Sequence, residues 1–229
     1  MPIRKEEINR KILHVFSGTL IPALILYLPL CNAHPRWLPQ WLTAKFYAPA
    51  LAASATALFV AVEMLRFRVP WVQRLFYGIS KAAMRPDEKM KMTGATYMVA
   101  AAFLCSIVFV DSPSISFMAL CACIWGDGVA ALVGQSVGTV KIGNKTLEGS
   151  IGCFAMCMAL FIAVFPHVPH LLDSWERAIP LPMSIAASLS ITVMELFPIK
   201  IGNNFIINDN LTVPLITGFL MEALSPMLR

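Results

Sequence analysis

The chain has 229 residues, of which 58% are hydrophobic and 14% charged, with a formal net charge of +5 and a mean hydropathy of +0.70. Soluble domains carry charge on about 25% of their residues, and a small soluble fold cannot hide this much apolar side chain because much of its surface must stay wet. An ordinary soluble domain is excluded. The positive balance does not point to nucleic acid either, because the basic residues lie in short connections between apolar runs, where headgroups and topology account for them.

From the N-terminus, MPIRKEEINRK leads into an apolar run with no small-residue cleavage site before Pro29 and Cys31. It reads as a cytoplasmic lead-in and not as a cleaved signal. Apolar runs follow at roughly 12–31, 46–65, 94–111, 114–137, 150–166, 178–197 and 211–227. A helix needs about 20 residues to cross the hydrocarbon, and continuous runs suit helices, not barrel strands. The expectation is an all-α polytopic membrane protein of about seven transmembrane helices, one domain over 1–229. With the N-terminus cytoplasmic, 14 Lys/Arg fall inside and only Arg36, Lys45, Arg177 and Arg229 outside. The cytoplasmic connections are then those near 66–93, 139–149 and 198–210.

The outer connections read as plain turns, with Trp37, Trp41 and Trp175 as an aromatic belt and His34, His167 and His170 solvated. On the inner side, 66–93 carries basic and aromatic residues near helical spacing, as an interfacial helix does. The six cysteines form no CxxC and read as packing residues.

Several polar residues are not explained by hydrophobicity. Lys11, His14 and Gly18 share one face of the first helix, and Glu63 and Arg66 form an i, i+3 ion pair at the inner end of the second. Asp127 lies inside an apolar run, where an acid costs roughly 2.5–3.5 kcal/mol. Gly126 and Gly128 flank it and permit a helix break aimed at a site. Beyond it, Asp127, Ala131, Gly134 and Gly138 align on one helical face, which is also the pattern of a small-residue packing seam. Next comes a loop with Lys141, Gly143, Asn144, Lys145, Thr146, Glu148, Gly149 and Ser150. It is no Walker A element, but its N–H groups, hydroxyls and ammoniums can surround polyphosphate; a loop made basic by topology is the alternative. Glu195 ends a later run, and Asp209 with Asn210 opens the last, where Asp209 serves equally as an N-cap. Carboxylates beside a polyphosphate loop suit Mg²⁺.

These residues resemble the CTP-dependent polyprenol and lipid kinases, the family of dolichol kinase, phytol kinase and yeast-type diacylglycerol kinase. The likeness runs through four ordered blocks. They are Arg10-Lys11-xx-His14-xxx-Gly18; Arg85-xx-Glu88 followed by Thr93-Gly94-Ala95-Thr96-Tyr97; Gly126-Asp127-xx-Ala130-xxx-Gly134-xxx-Gly138 leading to Lys145-Thr146-xx-Gly149-Ser150; and Glu195 followed by Asp209-Asn210-Leu211-xx-Pro214. The resemblance implies transfer of the γ-phosphoryl of CTP to a lipid hydroxyl at the inner face of a bacterial inner membrane or a eukaryotic endomembrane, with Mg²⁺. On that basis Asp127, Asp209 and Lys145 are the expected catalytic residues. Lys11, His14, Gly134, Gly138, Lys141, Lys145, Thr146, Gly149 and Ser150 are expected at the nucleotide phosphates. Asp127, Glu195 and Asp209 are expected on the metal, with Glu63, Arg66, Arg85, Glu88, Glu148 and Asn210 as further candidates. The implied partners are a membrane lipid and a nucleotide. The central block also resembles phosphatidate cytidylyltransferases, but Asn144-Lys145-Thr146-Leu147-Glu148-Gly149 lacks that family's paired lysines and tryptophan, and its terminal block is absent. A transporter with broken helices is the reading of another class.

Overall fold

The computed structural model describes residues 5–30, 43–80, 91–173, 175, 178–197, 200–201, 205–206 and 208–228. Among the described residues, eight α-helices carry the fold: α1 (Lys5–Tyr27), α2 (Tyr47–Arg68), α3 (Pro70–Ser80), α4 (Gly94–Val108), α5 (Pro113–Ser136), α6 (Leu147–Ala159), α7 (Leu181–Leu196) and α8 (Asp209–Leu228). α6 runs on through a π-helical turn, Leu160–Val164, and a 3₁₀ turn, Phe165–His167. Two short antiparallel hairpins interrupt the helices: β1 (Lys141–Ile142) with β2 (Lys145–Thr146), and β3 (Lys200–Ile201) with β4 (Phe205–Ile206). The first hairpin turns on Gly143, whose φ of 59° a side chain would resist.

The expectation of about seven transmembrane helices is not met. Among the described residues, three helical stretches are long and apolar enough to cross a membrane: Ala44–Arg68, Pro113–Ser136 and Leu147–His167. The other apolar helices, His14–Leu30, Gly94–Val108 and Leu181–Leu196, are shorter. At 1.5 Å per residue they fall short of a hydrocarbon core about 30 Å thick. Counting apolar residues overestimated their length because the runs include non-helical turns, such as Phe109–Asp111 and the segment before Pro180. α8 carries Glu222 and two internal prolines, Pro214 and Pro226.

α5 is the central element. Ile115, Met118, Ala119, Leu120 and Ala122 are almost wholly buried, and the helix packs on α1, α4, α6, α7 and α8. It runs without interruption through Gly126, Asp127 and Gly128. The expected helix break is absent, and with it the feature that favoured a transporter. The two glycines serve packing instead. A Cβ on Gly126 would lie 3.0 Å from the Cys153 sulfur and 3.1 Å from that of Cys157, while one on Gly128 would lie 2.8 Å from Val15. Successive residues point about 100° apart around a helix, so this pair draws α6 and α1 close on either side of Asp127.

The α5–α6 seam continues toward the hairpin. Gly126, Ala130, Gly134 and Gly138 recur every four residues, and opposite them Cys157, Cys153, Gly149 and Thr146 run antiparallel. At Gly149 the backbones nearly touch: a Cβ there would lie 2.7 Å from the Ala130 carbonyl oxygen. The seam keeps Gly134 and Gly138 of the expected face but has Gly126 and Ala130 in place of Asp127 and Ala131. Cys105, Cys121, Cys153 and Cys157 are buried free thiols, as packing residues should be. Trp175 does not join an interfacial belt; it is buried, and its indole N–H donates to the Ser114 hydroxyl at 3.2 Å. Trp37, Trp41 and His34 lie outside the described residues.

Gly149→Val should lower unfolding stability by about 1–3 kcal/mol, since backbone oxygen cannot yield as a flexible side chain does. Gly78→Ala, with nothing within 4 Å of the new Cβ, should be neutral or stabilising by up to ~1 kcal/mol. Thermal unfolding of both variants in detergent checks the pair.

Candidate functional site

A cavity of about 900 Å³ opens between α1, α2, α4, α5 and the starts of α6 and α8. Three helix N-termini reach it: Thr93–Thr96 at α4, Thr146–Ser150 at α6 and Asn208–Asn210 at α8. Each end concentrates roughly half a positive charge on N–H groups pointing outward. Local sequence explains each start. Thr146 caps α6, its hydroxyl accepting from Gly149 N–H at 3.2 Å. The α8 cap is Asn208, whose side-chain oxygen accepts from Asn210 N–H at 3.0 Å. Asp209, expected as a possible cap, is instead the first helical residue, and its carboxylate faces Lys145.

The charges of the cavity are paired across elements. Lys11, almost fully buried on α1, donates from Nζ to Asp127 Oδ2 on α5 at 2.7 Å. His14 Nε2 lies 3.8 Å from the same oxygen. Lys145 on β2 donates to Glu195 Oε1 at the end of α7 and lies 3.7 Å from Asp209 Oδ2. Burial works against the Lys145 ammonium, but Glu195 above all, then Asp209 and Asp127, hold its pKa above the ordinary lysine value. Three carboxylates thus face two ammoniums and three helix N-termini. Each lysine of the site is thus matched by a carboxylate from another element.

The other expected residues divide. Gly134, Thr146, Gly149, Ser150, Glu63 and Asn210 line the cavity. Asn210 also anchors α8 to α4, its amide donating to the Gly94 carbonyl at 3.3 Å. Gly138 packs against Thr146 outside the lining, and Lys141 is exposed and apart from it. Glu148 turns away, accepting from Thr139 N–H at 2.9 Å, Val140 N–H at 3.1 Å and the Thr139 hydroxyl. It shapes the approach to the hairpin. Arg85 and Glu88 lie outside the described residues.

Glu63 and Arg66 do more than pair locally. Arg66 Nε donates to Glu63 Oε2, and its Nη2 donates to the Lys91 carbonyl. The guanidinium lies over the rings of Phe67, at 4.4 Å, and Phe76, at 4.8 Å. The other Glu63 oxygen accepts from Thr93 N–H at 2.9 Å and from the hydroxyls of Thr93, at 2.8 Å, and Thr96, at 3.1 Å. One buried ion pair therefore ties α2 to α3 and to the start of α4.

The expected metal set does not form a cage. Among the described residues no group of three or more His, Cys, Asp or Glu is arranged to hold a metal; lysines intervene between Asp127, Glu195 and Asp209. The donors still fit Mg²⁺ as nucleotide sites hold it, through one or two carboxylates plus substrate phosphates. Thr93, Gly94, Ala95 and Thr96 of the second block also line the cavity, whereas Asn208 and an apolar flank of Leu58, Phe59, Val62 and Phe76 were not singled out from the sequence. Asn208 immediately before an acidic first turn was a readable cap signal. The flank carried no signal, being indistinguishable from lipid-facing side chains.

No family model matches the chain. It is homologous, at low identity, to plant isoprenoid-alcohol kinases. A protein of Oryza sativa subsp. japonica described as "Probable phytol kinase 2, chloroplastic" is 25% identical over 227 residues, covering 96% of this chain and 66% of the relative. Phytol kinase 1, chloroplastic, of Arabidopsis thaliana is 25% identical over 93% of this chain and 65% of the relative. Farnesol kinase, chloroplastic, of Arabidopsis thaliana is 32% identical over 59% of this chain and 45% of the relative. The chain spans just under two thirds of the length of the phytol kinases it matches. No solved structure matches. The three helical stretches long and apolar enough to cross a membrane support an integral membrane location.

Glu63→Ala leaves Arg66 buried without its carboxylate and should cost about 3–5 kcal/mol. Chemical denaturation should also show Glu63→Gln, which keeps an acceptor for Thr93, losing less.

Proposed function

We propose that the chain transfers the γ-phosphoryl group of CTP to the hydroxyl of an isoprenoid alcohol. The observation that carries this reading is the composite cavity, in which paired lysines and carboxylates lie under three helix N-termini beside an apolar flank on a membrane-long helix. Kinase chemistry and the alcohol class are inferred from the phytol and farnesol kinases. CTP as donor is inferred from the motif resemblance.

Phosphoryl transfer asks the protein mainly to align groups and neutralise charge. Lys145 and the N-termini of α6 and α8 face one region of the cavity and would hold the phosphates, with Thr146 and Ser150 as hydroxyl donors. Mg²⁺ bound with the nucleotide, next to Asp209 and Glu195, would supply the positive charge that three carboxylates otherwise leave short. Asp127 is assigned to the alcohol. Lys11 holds its carboxylate oriented through Oδ2, leaving the other oxygen to accept the hydroxyl proton as the alcohol oxygen attacks the γ-phosphorus. The bond to the β-phosphate oxygen breaks, CDP leaves, and the lipid monophosphate remains. The basic residues Arg66, Arg68, Arg74 and Lys91 lie between the last turn of α2 and the start of α4, whose Glu63 and Thr93 line the cavity, and favour a cytoplasmic position for that end.

Asp127→Asn should lower kcat by about 10²–10⁴-fold, the range of a general base, while the protein remains monodisperse and helical by circular dichroism. Lys145→Met should chiefly raise the KM for CTP. Full transfer of γ-labelled phosphate by a folded Asp127→Asn protein would remove this mechanism.

A further inference from the structure

We propose that the alcohol enters sideways, between α1 and α2, and that Phe59, Val62 and Phe76 hold the carbons next to its hydroxyl while the remaining tail stays in the bilayer. This rests on the phosphotransfer reading and specifies its acceptor site.

The cavity that contains Asp127 and Lys145 is also lined by Leu58, Phe59 and Val62 of α2 and by Phe76 of α3. Leu58 is 62% exposed and Phe59 39% exposed. Side chains that line a cavity and also face outward mark its opening. This opening lies on the flank of Ala44–Arg68, one of the stretches long enough to cross a membrane, so it faces hydrocarbon. Across the cavity α1 presents Lys11, His14 and Ser17. α1 packs chiefly on α5 and α2 chiefly on α4, with little contact between α1 and α2. A flexible chain can pass there without parting a packed interface.

Size limits what the cavity encloses. About 900 Å³ lies near the top of the ~300–1,000 Å³ range of pockets that bury one small ligand. A nucleotide and a whole long-chain alcohol together exceed such a pocket, so part of the tail lies outside. Leu58 and Val62 are four residues, about 6 Å, apart along the helix, a length of only a few carbons. The Phe76 ring is fixed beneath Arg66, itself held by Glu63. The enclosed carbons therefore meet a firm wall, whereas the distal tail meets lipid. Recognition follows: the first isoprene units are read and tail length is tolerated.

Purified full-length protein in nanodiscs tests this with geranylgeraniol and the short alcohol 3-methyl-2-buten-1-ol. Val62→Trp, which fills the flank, should lower kcat/KM for geranylgeraniol by about tenfold or more, with the KM for CTP within about twofold of the unaltered protein. Leu58→Trp, at an exposed position that does not support the core, should narrow the opening and penalise geranylgeraniol more than the short alcohol. Unchanged kcat/KM for geranylgeraniol in both variants, or an equal loss of CTP affinity, overturns the proposal. Photolabelling with a diazirine-bearing isoprenoid alcohol gives a readout independent of turnover. Adducts within residues 58–76 that excess geranylgeraniol competes away support the flank; adducts elsewhere, or uncompeted, contradict it. If the unaltered protein phosphorylates no alcohol, the kinase reading fails, and competed labelling alone still decides the binding site.

Discussion

The near-contact of α5 and α6 is the constraint on which the site depends. Gly149 approaches the Ala130 carbonyl so closely that even a methyl group would collide with it. That approach brings the start of α6 against the middle of α5 and sets the β1–β2 hairpin beside it. Lys145 then reaches Glu195 on α7, and Thr146 and Ser150 line the space next to Asp127. Lipid cannot drive helices together as water does, so small residues that allow dense packing are the expected means. The same residues that build the seam thereby bring chemistry from distant parts of the chain into one cavity.

Charge burial supplies the second constraint. An ion far from bulk water must be paired, and every acid of the cavity meets a partner from another segment. Lys11 joins α1 to α5 through Asp127, Lys145 joins β2 to α7 and the start of α8, and Glu63, paired with Arg66 on its own helix, joins α2 to the start of α4 through Thr93. The first two pairs lie where a nucleotide and a hydroxyl would compete for them, while the third is saturated by its own neighbours. That difference separates residues suited to chemistry from one suited to holding a wall.

Much of this was legible in the sequence, for stated physical reasons. An acid in an apolar run is costly enough to announce itself, and Asp127 did. The glycine spacing after it announced a helix seam, although the contacting face proved to be Gly126, Ala130, Gly134 and Gly138. Span number was not legible, because apolar turn residues such as Phe109 and Val110 lengthen a run without lengthening its helix. Nor was the division between Lys141 and Lys145. They lie on opposite strands of a two-residue hairpin, and only the three-dimensional placement shows which one faces the cavity. The apolar flank was hidden because Leu58 and Phe59 look the same in sequence whether they meet lipid or line an entrance.

The account comes down to one claim, that this cavity joins the terminal phosphate of CTP to a lipid hydroxyl. The direct measurement incubates the purified protein with an isoprenoid alcohol and CTP labelled at either the γ- or the α-phosphorus, then follows label into the lipid phase. The account predicts γ-label in lipid monophosphate and α-label retained in CDP. Transfer of α-label into lipid with release of pyrophosphate, or no label in lipid from either nucleotide, would contradict it.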